Sequence, residues 1–223
     1  MRLDPQADGQ APPADCPLCP RLAALRHAVR LEEPTWFNAP VPSWGGDVGA
    51  RLLIVGLAPG LRGANRTGRP FTGDHAGGLL YATLAKFGFT RGTFAAKADD
   101  GLTLIDCRIT NAVRCVPPQN KPLPAEMTQC RRFLEAEIAR LANLACIVAL
   151  GRVAHEAVIR ACGHRLALSP FSHGAEHQLL APSGRPFTLI DSYHCSRYNT
   201  NTGVLTPAMF EDVFARVRQL LES

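Results

Sequence analysis

The run Leu52-Leu53-Ile54-Val55 has no polar face. A strand built from it must be covered by apolar side chains on both sides, as in the centre of a parallel sheet flanked by helices. It leads directly into residues 56–74, GLAPGLRGANRTGRPFTGD, in which five of nineteen residues are glycine. A strand ending in a glycine-rich, arginine-bearing loop lets the backbone approach an anionic ligand with few side chains in the way. Gly56 and Ala58, at the head of this loop, are candidate ligand contacts. No lysine lies between positions 56 and 74, so the loop is not a triphosphate cradle of the Gly-x-x-x-x-Gly-Lys-Ser/Thr kind. A Gly-x-Gly-x-x-Gly dinucleotide fingerprint is absent as well. The loop closes instead on an aromatic, Phe71, and an acid, Asp74, which suits a base more than a triphosphate.

Three further apolar or β-branched runs, at residues 108–113, 146–151 and 187–191, read as strands beside the first at 51–56. Helical patterns alternate with them. Residues 75–87 place Leu79, Leu80, Leu84 and Phe87 on one face and stop at Gly88. Residues 123–141 repeat apolar side chains at helical spacing, and residues 151–162 follow the third strand almost directly. The last helix is capped by Thr206, starts with Pro207 and carries Phe210, Val213, Phe214, Val217, Leu220 and Leu221 on one stripe. The fold expected is three-layer α/β/α around a central four-stranded, mainly parallel sheet. Ligands of such sheets collect beyond the carboxyl ends of the strands, so the segments after positions 56, 113, 151 and 191 should share one edge.

The 223 residues suit one domain, expected over 16–223. Residues 1–15, MRLDPQADGQAPPAD, are polar and proline-rich and read as a disordered leader without the apolar segment of a signal peptide. No apolar run is long enough for a membrane span, and a cytoplasmic monomer is expected. The net charge of +5 is carried almost wholly by arginine, since the only lysines are Lys86, Lys97 and Lys121. Arginine binds phosphate bidentately and stacks on bases, which fits nucleic acid.

Eight cysteines in a chain read as intracellular point away from structural disulfides. Cys16-x-x-Cys19 is a close ligand pair, and Cys115 with Cys130 could complete a four-thiolate site. Its spacing admits a structural zinc or a [4Fe–4S] cluster, although Cys130 also falls on the apolar stripe of its helix. Cys107, Cys146 and Cys162 read as core residues, and His164, His173 and His177 have no helix pattern that would make them metal ligands.

Asn111 and Asn120, in the segment TNAVRCVPPQNKP, offer the paired donor and acceptor needed to read the edge of a base. A buried strand-end amide and a turn residue are their structural alternatives. Asp74 is either the N-cap of the helix at 75 or an acid that orients water. The fourth strand runs into SYHCSRYNTNTG, where His194 sits at a strand end ahead of Arg197, Tyr198 and Asn199. A histidine so placed suits hydrogen bonding to a leaving group.

Together GLAPGLRGANRTGRPFTGD, TNAVRCVPPQNKP, the four spaced cysteines and SYHCSRYNTNTGVLT resemble the uracil-DNA glycosylase superfamily, and most closely its family 5, the iron–sulfur "type b" enzymes. The resemblance implies that Cys16, Cys19, Cys115 and Cys130 hold a [4Fe–4S] cluster in preference to zinc. It implies catalysis by Asp74 and His194, stacking of the base on Phe71, and substrate contacts from Asn111, Asn120 and Asn199. Family 4 has an acid where this sequence has Leu57. The third motif often carries proline or valine after its histidine and a glutamine further on, where this chain has Cys195 and Tyr198.

The implied reaction is hydrolysis of the N-glycosidic bond of uracil, and of other deaminated bases such as hypoxanthine or xanthine, in DNA at the nucleoid. The base is flipped out while Arg197 or Tyr198 fills the gap. With few lysines near the motifs, a monofunctional enzyme leaving an abasic site is expected. The alternative is a non-catalytic nucleic-acid-binding module held together by zinc or a cluster.

Overall fold

A computed structural model describes residues 11–46 and 48–222. Along the chain these form α1 (Pro20–Glu32), β1 (Trp44–Gly45), β2 (Leu52–Gly56), α2 (Ala64–Thr67), α3 (His75–Lys86), β3 (Thr90–Arg91), β4 (Thr103–Leu104) and β5 (Cys107–Asn111). There follow α4 (Pro124–Arg140), β6 (Cys146–Leu150), α5 (Arg152–Ala161), β7 (Glu176–Leu180), β8 (Pro186–Ser192), α6 (Arg197–Asn201) and α7 (Pro207–Glu222). β3 and β4 pair only with each other.

The four expected strands are the parallel centre of the sheet, in the order β5-β2-β6-β8. The sheet is wider than expected. Two short antiparallel strands extend it to six, β1 beside β5 and β7 beside β8.

Strand residues alternate between two cores, which is why β2 had to be apolar throughout. Leu52, Ile54, Ile109, Val148 and Ile190 join Leu80 and Leu84 of α3 and Phe210 and Phe214 of α7 on one face. Leu53, Val55, Ile147, Ala149 and Leu189 meet Leu134 and Ile138 of α4 and Ala154 and Val158 of α5 on the other. Each fully buried side chain of this size contributes about 1.5–3 kcal/mol relative to exposure, so the two cores hold the sheet between both helix layers. α7 starts where Thr206 caps it, its hydroxyl accepting from Met209 N at 3.2 Å.

Residues 1–10 of the expected leader lie outside the described residues. Residues 11–15 lie against α1: Pro12 is buried, and Asp15 pairs with Arg30. A third, small core made of Cys16, Leu22, Val113, Cys130 and Phe133 fastens α1 to β5's extension and α4. Among the described residues no helix is long and apolar enough to cross a membrane.

Candidate active site

The loops leaving β2, β5 and β8 at their carboxyl ends enclose a cavity of about 350 Å³. Of the residues singled out in the sequence, Ala58, Phe71, Asp74, Asn111, Asn120, His194 and Arg197 line it. Gly56 lies just beneath. A Cβ there would stand 2.5 Å from Asn111 Oδ1 and 2.6 Å from Phe71 Cζ, so only glycine lets those two side chains close over the end of β2. Asn199 departs from expectation: it is absent from the lining, and its Nδ2 donates to the His194 carbonyl at 2.8 Å. It holds the histidine's backbone because the first turn of α6 folds its side chain back toward the strand end.

Phe71 is held in the left-handed region, φ 52°, by the contacts around it. Tyr81 OH donates to the Pro70 carbonyl at 2.6 Å, and Thr67 Oγ1 donates to the Thr72 carbonyl at 3.1 Å. Arg69, buried, forms a bidentate pair with Asp100 at 2.7 Å on both arms and donates through Nε to Thr72 Oγ1. Its guanidinium lies 4.8 Å from the Trp44 ring centroid and 5.6 Å from those of Tyr81 and Phe94. These bonds hold the Asp100 carboxyl far below the usual carboxylate range, the Arg69 hydrogen bonds being the main cause.

Asp74 takes the capping role that the sequence allowed and stands at the cavity. It caps α3, its carboxylate accepting from Gly77 N at 3.4 Å, and it forms part of the cavity wall. Although its surface opens to the cavity, protein packs around it, and this loss of water raises its carboxyl against the opposing backbone N–H groups of Gly77 and Ala76. A Cβ on Gly63 would lie 2.5 Å from Asp74 Oδ2.

His194 lines the same cavity from the segment that follows β8. Burial pushes its imidazole down to about 4, so the ring is neutral at physiological pH and presents one N–H donor. Beside it, Gly151 approaches within 3.4 Å of the His194 Cβ at the position a Cβ would take. Arg197 lines the cavity, and Tyr198 next to it is exposed, both on the first turn of α6.

His75 also lines the cavity and was not foreseen. Its Nε2 lies 3.1 Å from Thr200 Oγ1, tying the start of α3 to α6. Nothing in a single histidine after a cap residue signals a partner 125 residues away. His177, for which the sequence shows no helix pattern, lies on a strand. On β7, it joins His155 and Asp191 in a trio whose ligand atoms lie within 4.8 Å. His155 is bonded at both ring nitrogens, to Asp191 Oδ1 at 2.7 Å and to the Ser169 carbonyl at 2.8 Å. The trio therefore ties α5, β7 and β8 together immediately before the His194 loop.

The four cysteines of the sequence pattern surround one small hollow. Cys130 Sγ accepts from Arg114 N at 3.3 Å and Cys115 Sγ from Arg26 at 3.6 Å. Burial pushes the free Cys19 thiol up to about 11 and that of Cys115 up to about 12. As thiols they would stay protonated, and binding iron or zinc would remove their protons. By contrast Cys107, Cys146 and Cys195 are fully enclosed in the core.

The family model of the uracil DNA glycosylase superfamily matches residues 42–218. The chain belongs to that superfamily. Its relatives include the type-5 uracil-DNA glycosylase of Thermus thermophilus, 46% identical over 211 residues that cover 92% of this chain and 93% of the relative. The type-5 enzyme of Mycobacterium leprae is 44% identical over 214 residues, covering 92% and 91%. The type-4 enzyme of Thermotoga maritima is 38% identical over 110 residues, about half of each chain (49% and 49%). Full-length similarity thus runs to the type-5 branch of the glycosylase superfamily, and the superfamily match spans every cavity residue named above together with Cys115 and Cys130. Cys16 and Cys19 precede the matched span.

Proposed function

We propose that this chain is a monofunctional type-5 uracil-DNA glycosylase, hydrolysing the N-glycosidic bond of a deaminated base flipped out of DNA. One observation carries the reading: an aromatic face, a carboxylate, a neutral imidazole and a buried carboxamide, from the end of β5 and the segments after β2 and β8, meet at one cavity in a chain of this superfamily. A cavity of about 350 Å³ falls within the range of small-ligand sites. It admits a purine as well as a pyrimidine, so hypoxanthine and xanthine are proposed as further substrates.

In this mechanism the base stacks on Phe71 while Asn111, on the floor, reads its edge and Asn120 contacts the nucleotide at the mouth. Arg197 meets phosphate, and Tyr198 fills the gap left in the duplex. As the glycosidic bond lengthens, negative charge gathers on the departing base and positive charge on the sugar. The His194 N–H donates to the base anion. Asp74 orients the attacking water and faces the cationic sugar. Lys121 is not among the cavity's lining residues, which supports hydrolysis without strand cleavage.

Cys16, Cys19, Cys115 and Cys130 would hold a [4Fe–4S] cluster as a structural clamp between α1 and the segment ahead of α4, with zinc as the less favoured occupant. The full-length likeness to type-5 relatives supports a cluster over zinc. The protein is proposed to act as a monomer in the cytoplasm, at the nucleoid.

The test is to incubate purified protein with single- and double-stranded oligonucleotides containing uracil, hypoxanthine or xanthine and then treat with alkali. Cleavage at the modified position is expected. Intact strands with protein that still binds DNA would leave the non-catalytic reading in its place.

A further inference from the structure

Arg26 and Arg114 both line the hollow between the four cysteines, and each is only 2% exposed. Their hydrogen bonds do not balance their charge. Arg26 donates to Cys115 Sγ and, at 3.0 Å, to the Cys16 carbonyl, and its Nε has no partner among the described residues. Arg114 Nη1 and Nη2 likewise have no hydrogen-bond partner, and its carboxylate neighbour is Glu137 at 4.0 Å. That carboxylate is already bonded by Arg108.

Two enclosed cations against four neutral thiols would be a costly arrangement, because a buried charge needs an opposite charge or a full set of hydrogen bonds. Four thiolates on a doubly positive [4Fe–4S] core make a dianion, which supplies the missing charge. We propose that Arg26 and Arg114 are the counter-ions of this group and set the potential at which it accepts an electron. The proposal rests on the cluster reading given above. In the one-electron step an external reductant gives one electron to the core; no bond breaks, no proton moves, and the group passes from two negative charges to three. Adjacent cations favour the more negative state, and the Arg26 N–H···S bond withdraws density from the Cys115 sulfur in the same direction.

The experiment is a dithionite titration of anaerobically reconstituted protein, followed by visible absorbance and electron paramagnetic resonance, with iron content measured alongside. Arg26→Met and Arg114→Met are each expected to raise the oxidised-to-reduced ratio at a fixed potential about tenfold, a shift of about 59 mV to more negative values for one electron. Arg26→Lys, which keeps the charge, is expected to stay close to wild type. Methionine variants that load iron normally at the wild-type potential would overturn the proposal, as would a lysine variant shifted as far as its methionine counterpart. If a methionine variant fails to retain iron, retention by Arg26→Lys supports the charge, and loss in both rejects it. Wild-type protein that stays colourless after reconstitution would instead overturn the cluster reading itself.

Discussion

The Phe71 and His194 rings stand 6.0 Å apart, centroid to centroid, with their planes inclined by 31°. A base stacked between them would need about 7 Å, two aromatic contacts of about 3.5 Å each. In the proposed mechanism His194 therefore meets a base lying on Phe71 at its edge, where a carbonyl oxygen of the leaving group sits.

That geometry makes His194 a donor and not a stacking partner. His194→Ala should lower the rate of uracil excision about 10²–10³-fold, the usual cost of losing one donor to a developing anion. Single-turnover rates with saturating enzyme would show it, with little change in DNA affinity or in the thermal unfolding midpoint. Wild-type rates would remove His194 from the chemistry.

The pH profile follows from two opposite shifts. In the proposed mechanism Asp74 works as a carboxylate, and desolvation raises its pKa above the ordinary 3.8. Excision should be full at neutral pH and decline as pH falls through that raised value. His194 is already neutral and gains a proton only near 4, so no change is expected around the 6.5 of an ordinary histidine. A limb at 6.5 that vanishes in His194→Ala would contradict this assignment.

Gly63 gives a test of Asp74 that leaves the carboxylate in place. Gly63→Ala puts a methyl group 2.5 Å from Asp74 Oδ2 and must displace the acid or the loop. The single-turnover rate should drop at least tenfold while affinity for uracil-containing DNA holds, since the atoms nearest the added methyl group all belong to Asp74. Equal loss of affinity would mean that the loop itself had collapsed.

Asp100 lies outside the cavity, yet it supports the Phe71 shelf through Arg69. Asp100→Ala leaves Arg69 buried without its bidentate partner, at a cost of about 3–5 kcal/mol. Thermal unfolding should record the loss. Because Arg69 also holds Thr72, the variant should bind uracil-containing oligonucleotides more weakly, whereas a purely scaffold role would lower the unfolding midpoint alone.

Much of the fold was legible because its central strands and helices carry strong local signals. β2 has no polar residue to misplace, and α3 and α7 announce themselves by cap and stripe. The edge strands were not legible. β1 is two residues long, and β7, EHQLL, has neither β-branched residues nor strict alternation; both owe their pairing to neighbours. At the site, residue type and position at a strand end pointed to Asn111 and His194, and the acid that closes the glycine-rich loop pointed to Asp74. The roles of Asn199, His75 and the Arg69–Asp100 pair depend on contacts made only after the chain folds, and no spacing rule encodes them.

The anchoring of α1 also has a bearing on biosynthesis. Arg21 reaches across 105 residues to Glu126, and Cys16 and Cys19 meet Cys130 on the same helix. A ribosome must therefore deliver more than half of the polypeptide before the amino-terminal helix has anything to dock onto. Any inorganic centre these sulfurs share can be inserted only late in translation or after release, and until then the CPLCP segment emerges as bare, oxidisable thiols.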